Sequence, residues 1–226
     1  MKGLSIMNES MALMLKLLPG ATLETLYMVF FSTLVAILIG GPMGVLLIIS
    51  EKGGVQENIP LSQTLSTIVN IGRSFPFSIL MVAIIPLTRF IAGTSLGTTA
   101  AIVPLSIAAI PFVARIIESS LKEVDGGIVE ASQAMGATTW QIIYKVLIPE
   151  AIPGIVLGIT LTIINLIGYS AMAGMIGGGG LGKVADQYGY KGYNIPIMVA
   201  TIILLIILVQ IIQWFGNTLA KAINKK

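Results

Sequence analysis

The chain has 226 residues, 55% of them hydrophobic and 10% charged, with a formal net charge of +3 and a mean hydropathy of +0.95. Soluble domains carry about 25% charged residues, so this is the composition of a membrane protein, and so small and dispersed a charge excludes a nucleic-acid binder. The absence of cysteine and histidine removes thiolate catalysis, disulfides, His-ligated metal and the Ser-His-Asp triad together, which argues against an enzyme.

A bilayer core about 30 Å thick needs about 20 apolar residues per helix. Lipid cannot satisfy the edges of an open sheet, and the apolar runs here are continuous rather than alternating. The fold class is therefore all-α integral membrane, a single transmembrane domain over 1–226. In residues 1–20, Leu4, Met7, Met11, Met14, Leu15 and Leu18 recur at helical spacing, with Lys2, Glu9 and Lys16 between them. This predicts a short helix lying in the interface. A signal peptide fits less well, since Lys16 interrupts its apolar core and no small-residue cleavage site follows.

The first span is predicted over 22–50, long enough to leave Glu24 at a headgroup boundary. Gly40-Gly41-Pro42 and Gly44 either loosen it or allow close helix packing. A charged loop over 51–60 leads to a second span over 61–87, which contains Arg73. A charge inside a span costs about 2.5–3.5 kcal/mol and is then a functional candidate. The other reading is that Arg73 snorkels to the surface, and both remain open. The third span covers 97–117, kinked by Pro104 and Pro111, with Arg115, Glu118 and Lys122 marking its exit.

A polar-bearing loop over 125–149 follows. Ile128, Ala131, Ala134 and Met135 recur at helical spacing, with Glu130, Ser132 and Gln133 on other faces. Gly136 then ends a short helix in the left-handed conformation that glycine adopts cheaply. Thr138 and Gln141 stand in capping-box relation at the start of a second helix. Trp140, Ile143, Tyr144 and Leu147 fall on one side of it, and Pro149 closes it.

The fourth span, 151–176, carries no charge. Gly154 and Gly158, like Ser170 and Gly174, are small-residue pairs suited to close helix contact. Asn165, Tyr169 and Ser170 either line a pathway or make interhelical hydrogen bonds. In the glycine run that follows, Gly177, Gly179 and Gly182 satisfy G-x-G-x-x-G, and Gly182-Lys183 ends a near match to the Walker A pattern. Val184 stands where that motif needs a hydroxyl, and no strand precedes it, so a tight turn with close backbone approach is expected. The fifth span is predicted over 195–215, with Trp214 and Phe215 in an interfacial belt. Five spans put the termini on opposite sides. With the N-terminus outside, Lys52, Arg115, Lys122, Lys145, Lys221, Lys225 and Lys226 lie inside against Lys2, Lys16, Arg89, Lys183 and Lys191 outside. That is a weak positive-inside bias.

Glu130-Ala131, the glycine at Gly136 and Ile148-Pro149 together resemble the EAA loop of ABC importer permeases, with Glu-Ala-Ser here in place of Glu-Ala-Ala. Further phrases are similar to methionine importer permeases of the MetI type: Arg73-Ser74-Phe75-Pro76-Phe77, Pro111-Phe112-Val113-Ala114-Arg115, Gly168-Tyr169-Ser170-Ala171-Met172 and Gln187-Tyr188-Gly189-Tyr190. The resemblance implies a multi-pass homodimer in the bacterial cytoplasmic (inner) membrane, with its C-terminus in the cytoplasm. It implies Glu130, Ala131, Gly136, Ala137 and Pro149 as the contact to a cytoplasmic ATP-binding subunit, and Arg73, Asn165, Tyr169, Ser170 and Met172 as pathway candidates. ATP and magnesium would sit on that partner, with no cofactor in this chain, and an extracytoplasmic methionine-binding lipoprotein would deliver substrate. The alternatives are a permease for another amino acid and a secondary transporter. The latter is disfavoured by the lack of a carboxylate deep in a span and by an odd number of spans.

Overall fold

A computed structural model describes residues 2–224, with side chains from Met11 onward. The side chains of Lys2, Leu4, Met7 and Glu9, and the whole of Lys225 and Lys226, lie outside the described residues. The described chain is helical. Helix α1 runs unbroken over Lys2–Ser50, so the predicted boundary near residue 21 is absent. At about 1.5 Å per residue it is about two and a half times as long as a bilayer core is thick. Its first part is not simply interfacial. Leu13, Met14, Leu17 and Leu18 pack on a buried cluster of Ala21, Leu181, Val184 and Ile197. Of the predicted stripe, Met14 and Leu18 are thus partly covered by protein, whereas Met11 and Leu15 stay exposed.

The predicted second span is three helices: α2 (Ile59–Ser74), α3 (Phe77–Ala83) and α4 (Ile85–Ala92). Asn58 opens α2 by accepting a hydrogen bond from the Leu61 amide at 3.2 Å. Between α2 and α3 the chain bends by 100°. The cause is Pro76, which has no amide to donate and drives Phe75 out of the helical region to φ −74, ψ 125. The second break lies at Ile84 (φ −97, ψ 15), and Pro86 sits in the first turn of α4, where its missing amide costs no helical hydrogen bond. Helix α5 covers Thr98–Lys122, five residues further than predicted.

After α6 (Gly126–Ala134) and α7 (Thr139–Ile142), a π turn over Ile143–Leu147 runs directly into α8 (Ile148–Ala173). Pro149 therefore begins a long helix instead of closing a short one. A proline needs no amide partner in a first turn, and the wider π turn relieves the clash of its ring with the carbonyl four residues back. Helices α9 (Gly180–Val184) and α10 (Ile195–Ile223) complete the chain. Asn194 starts α10 by accepting from the Ile197 amide at 3.2 Å. Among the described residues four helical stretches are long and apolar enough to cross a membrane, and α2 with α3 makes a fifth if the bent pair is one crossing.

The chain forms two compact units. The first gathers 1–34, 76–107 and 163–212, around the cluster of Ala21, Leu181, Val184 and Ile197 just described. The second gathers 35–75, 108–162 and 213–226. Its core joins Leu47, Val69 and Ala114, with Met43 and Leu65 against them. Gly44 is why α1 meets α5 so closely there: a Cβ on it would lie 2.5 Å from the Ala114 carbonyl oxygen. Gly154 packs likewise against Ser120, and Gly158 against Ile116. The glycines of α1 and α8 in this unit thus serve close packing.

Candidate coupling and pathway site

The loop between α5 and α8 is built by its caps. Asp125 accepts from the Gly127 amide at 2.8 Å and starts α6. Gly136 has φ 77, so the helix ends in the left-handed region, as the sequence predicts. The turn is closed by the Gly136 amide donating to Gln133 O at 2.9 Å and the Ala137 amide to Ser132 O at 3.0 Å. The capping box of α7 is complete: the Thr138 amide donates to Gln141 Oε1 at 2.8 Å, and the Gln141 amide to Thr138 Oγ1 at 3.4 Å. Two short helices are thereby held across one glycine.

Their faces differ from a simple amphipathic reading. Ile128, Ala131, Ala134 and Met135 are all exposed, Met135 by 81%, whereas Ser132 is the buried residue of α6. Ser132 tolerates burial because its hydroxyl donates to Ile128 O at 2.7 Å. In the second helix Ile142, Ile143 and Leu147 are buried, but Trp140 and Tyr144 are 67% and 62% exposed and stack with ring centroids 5.7 Å apart. The predicted common side of Trp140, Ile143, Tyr144 and Leu147 is split, because the π turn at Ile143–Leu147 rotates the face. The loop thus presents an uncovered apolar surface that includes Ile128, Met135, Trp140 and Tyr144. Glu130 is exposed and lines a cavity of about 220 Å³ together with Glu51, Lys122, Val129 and Gln133. Ala137 is half-buried, and Pro149 is exposed.

At the base of the loop lies a polar chain that sequence reading missed. Glu118 is 5% exposed. One of its oxygens is 2.6 Å from Arg115 Nη1 and the other 3.2 Å from Lys122 Nζ. Arg115 Nη2 also donates to Asn70 Oδ1 at 2.6 Å, and Lys122 Nζ lies 2.6 Å from Glu51 Oε2. The i,i+3 and i,i+4 spacing of Arg115, Glu118 and Lys122 was readable in the sequence. Glu51 and Asn70, distant along the chain, were not.

The pathway candidates do not form one group. Arg73 belongs to the second unit, the other four to the first. Arg73 stands in the last turn of α2, where the helix dipole favours a cation, with its guanidinium 5.4 Å from the Phe112 ring centroid. On α8, Asn165 and Met172 are exposed and Tyr169 is half-buried, and the spacing places all three on one face. Tyr169 stacks on Phe77 with centroids 4.7 Å apart and planes 7° from parallel. Ser170 departs from that face. It is 1% exposed and donates to Ile167 O at 2.7 Å, so it serves packing.

The glycine run is clasped by α1. The Gly180 amide donates to Glu24 Oε2 at 2.6 Å and the Leu181 amide to Thr25 Oγ1 at 3.0 Å. Glu24 and Thr25 thus occupy two of the amides that the phosphate-like motif would offer. Gly177, Gly179 and Gly180 all have positive φ, a course that few other residues would follow. Among the described residues no group of three or more Asp or Glu side chains is placed to hold a metal ion.

Residues 53–225 match the family model described as binding-protein-dependent transport system inner membrane component. The chain is 56% identical over 210 residues to the probable D-methionine transport system permease protein MetI of Vibrio cholerae, covering 93% of each. It is 51% identical to the corresponding protein of Haemophilus influenzae, covering 91% of this chain and 97% of that one. In structure it is similar to a chain of the MetNI methionine ABC transporter solved in inward-facing conformations. The TM-score is 0.92 at 50% identity, over 94% of this chain and 98% of that one.

Proposed function

The chain belongs to the family of binding-protein-dependent transport system inner membrane components, and from that premise we propose that it is the permease subunit of an ATP-driven methionine importer. The observation that carries this reading is the near full-length identity to the Vibrio cholerae D-methionine permease. The chain serves as one permease domain in the bacterial inner membrane and works as a homodimer in lipid. It crosses five times, with α2 and α3 as a broken second crossing. The N-terminus is outside and the C-terminus in the cytoplasm. Support for that orientation comes from the unit that carries the 125–149 loop, which also carries Lys52, Arg115, Lys122, Lys145 and Lys221.

Each copy docks one cytoplasmic ATPase subunit on α6 and α7. Glu130 supplies a polar contact there, and Ala131 belongs to the uncovered apolar stripe. Gly136 with Ala137 fixes the angle between the two helices, and Pro149 passes their motion into α8. ATP with magnesium is held by the ATPase subunit, whose closure draws the loops together. A methionine-binding lipoprotein delivers substrate at the outer face. The face of Asn165, Tyr169 and Met172 offers an amide, a phenol and a thioether, a neutral lining suited to an uncharged side chain. Arg73 is the cation available for a carboxylate.

Vesicles containing this chain, its ATPase subunit and the binding protein test the reading. Labelled methionine should enter only with ATP inside the compartment that holds the ATPase. Excess arginine or glutamate should not compete. Equal competition by either would refute the methionine assignment, and uptake driven by an ion gradient without the ATPase would refute the importer class.

A further inference from the structure

Helix α6 has little to hold it in place by itself. Among its nine residues only Ser132 is buried, and one flank, Val129, Glu130 and Gln133, faces the cavity of about 220 Å³. Its position is therefore set from its ends. The trailing end is the capped turn at Gly136. The leading end is reached through Asp125, three residues after α5 finishes at Lys122.

Lys122 is not free to wander. Its ammonium is shared between Glu118 and Glu51, and Glu118 is shared in turn between Lys122 and Arg115. Both oxygens of Glu118 are therefore engaged. A buried carboxylate is tolerated only when paired, so Glu118 holds both cations in place. Arg115 extends the chain of contacts to Asn70 on α2. Two cations and two carboxylates balance. The result is one continuous chain, Asn70, Arg115, Glu118, Lys122, Glu51, joining α2, α5 and the segment that follows α1.

We propose that this chain is a fixed strut with Glu118 as its central positioning residue, which sets where the loop that meets the ATPase stands and transmits its movement to α2. The inference rests on the importer reading above. Without the strut the ATPase subunit would still dock, because the apolar face of α6 is untouched, but its motion would be lost at the base of the loop.

The test uses the full complex in vesicles and reads methionine moved per ATP hydrolysed. Glu118→Gln keeps the shape and removes the charge. The ATPase subunit should still co-purify, while methionine per ATP falls by roughly fivefold or more, the size of ordinary coupling between sites. A drop in yield or thermal stability with unchanged methionine per ATP would make Glu118 merely structural and overturn the strut. The second arm exploits a chain that has no native cysteine. Glu51→Cys with Lys122→Cys should lose coupling, and a short bifunctional thiol cross-linker should restore it. Failure to restore it, or further loss on cross-linking, would show that the pair must open during the cycle and would overturn a fixed strut. No ATP-driven methionine uptake by the unaltered complex would refute the importer reading and the strut with it. Full coupling in all variants refutes the strut alone.

Discussion

Replacing Gly136 by valine tests whether the angle between α6 and α7 matters. The backbone there has φ 77, and a Cβ would meet nothing within 4 Å. Steric collision with neighbours is therefore not the cost. The cost is the left-handed backbone itself, about 1–3 kcal/mol for a β-branched residue. Two backbone hydrogen bonds close this turn, and the capping box lies just beyond it. Each is worth about 0.5–1.5 kcal/mol net, comparable to the strain. The turn therefore reopens in a substantial fraction of molecules instead of holding under strain. The membrane helices lie outside the turn, so Gly136→Val should insert and dimerise normally. Transport per retained ATPase subunit should fall by roughly 5- to 150-fold, the range that corresponds to 1–3 kcal/mol. Gly136→Asn is the control, because asparagine enters this conformation more readily, and it should stay within a few-fold of the natural chain. Full transport by Gly136→Val would show that the loop is a mere connector.

Glu130→Ala should be milder than Gly136→Val, since it removes one exposed contact and keeps helix propensity, as the same transport assay will report. Lys183→Ala should leave ATP hydrolysis by the complex intact, because Lys183 is exposed and the nearby amides of Gly180 and Leu181 are already taken. Photo-crosslinking of an ATP analogue to Lys183 would contradict this. Ser170→Ala should cost about 0.5–1.5 kcal/mol in unfolding and spare uptake, whereas Tyr169→Ala should lower uptake by opening the stack on Phe77. Gly44→Leu should destabilise by about 1–3 kcal/mol or more, seen as lost yield and lowered melting temperature, because its Cβ would press on Ala114.

The sequence was most legible where structure is local. Gly136 and the Thr138–Gln141 capping box needed only their neighbours along the chain, and both are as expected. The apolar runs likewise announced helices of membrane length. Legibility failed where distant residues decide. Met14 and Leu18 look interfacial until they are known to pack on the cluster of Leu181 and Ile197. The bend after α2 is written in Pro76, but the apolar run that follows it disguises the break. Pro149 looks like a stop, and only the π turn before it explains why the helix continues. Asn165, Tyr169 and Ser170 are equally polar in sequence, yet helical phase turns Ser170 inward. The partners Glu51 and Asn70 lie far along the chain from Glu118, so no periodicity connects them.

Cross-linking from Met135 tests the proposed docking surface most directly. The chain contains no cysteine, so Met135→Cys places a single thiol on the exposed stripe of α6. In the assembled complex, a short thiol-reactive photo-crosslinker at that position should join this chain to the ATPase subunit, and binding of ATP should change the yield. A probe at Phe90→Cys, 87% exposed in the other unit, should not reach the ATPase. Capture of the ATPase from Phe90 but never from Met135 would contradict the account.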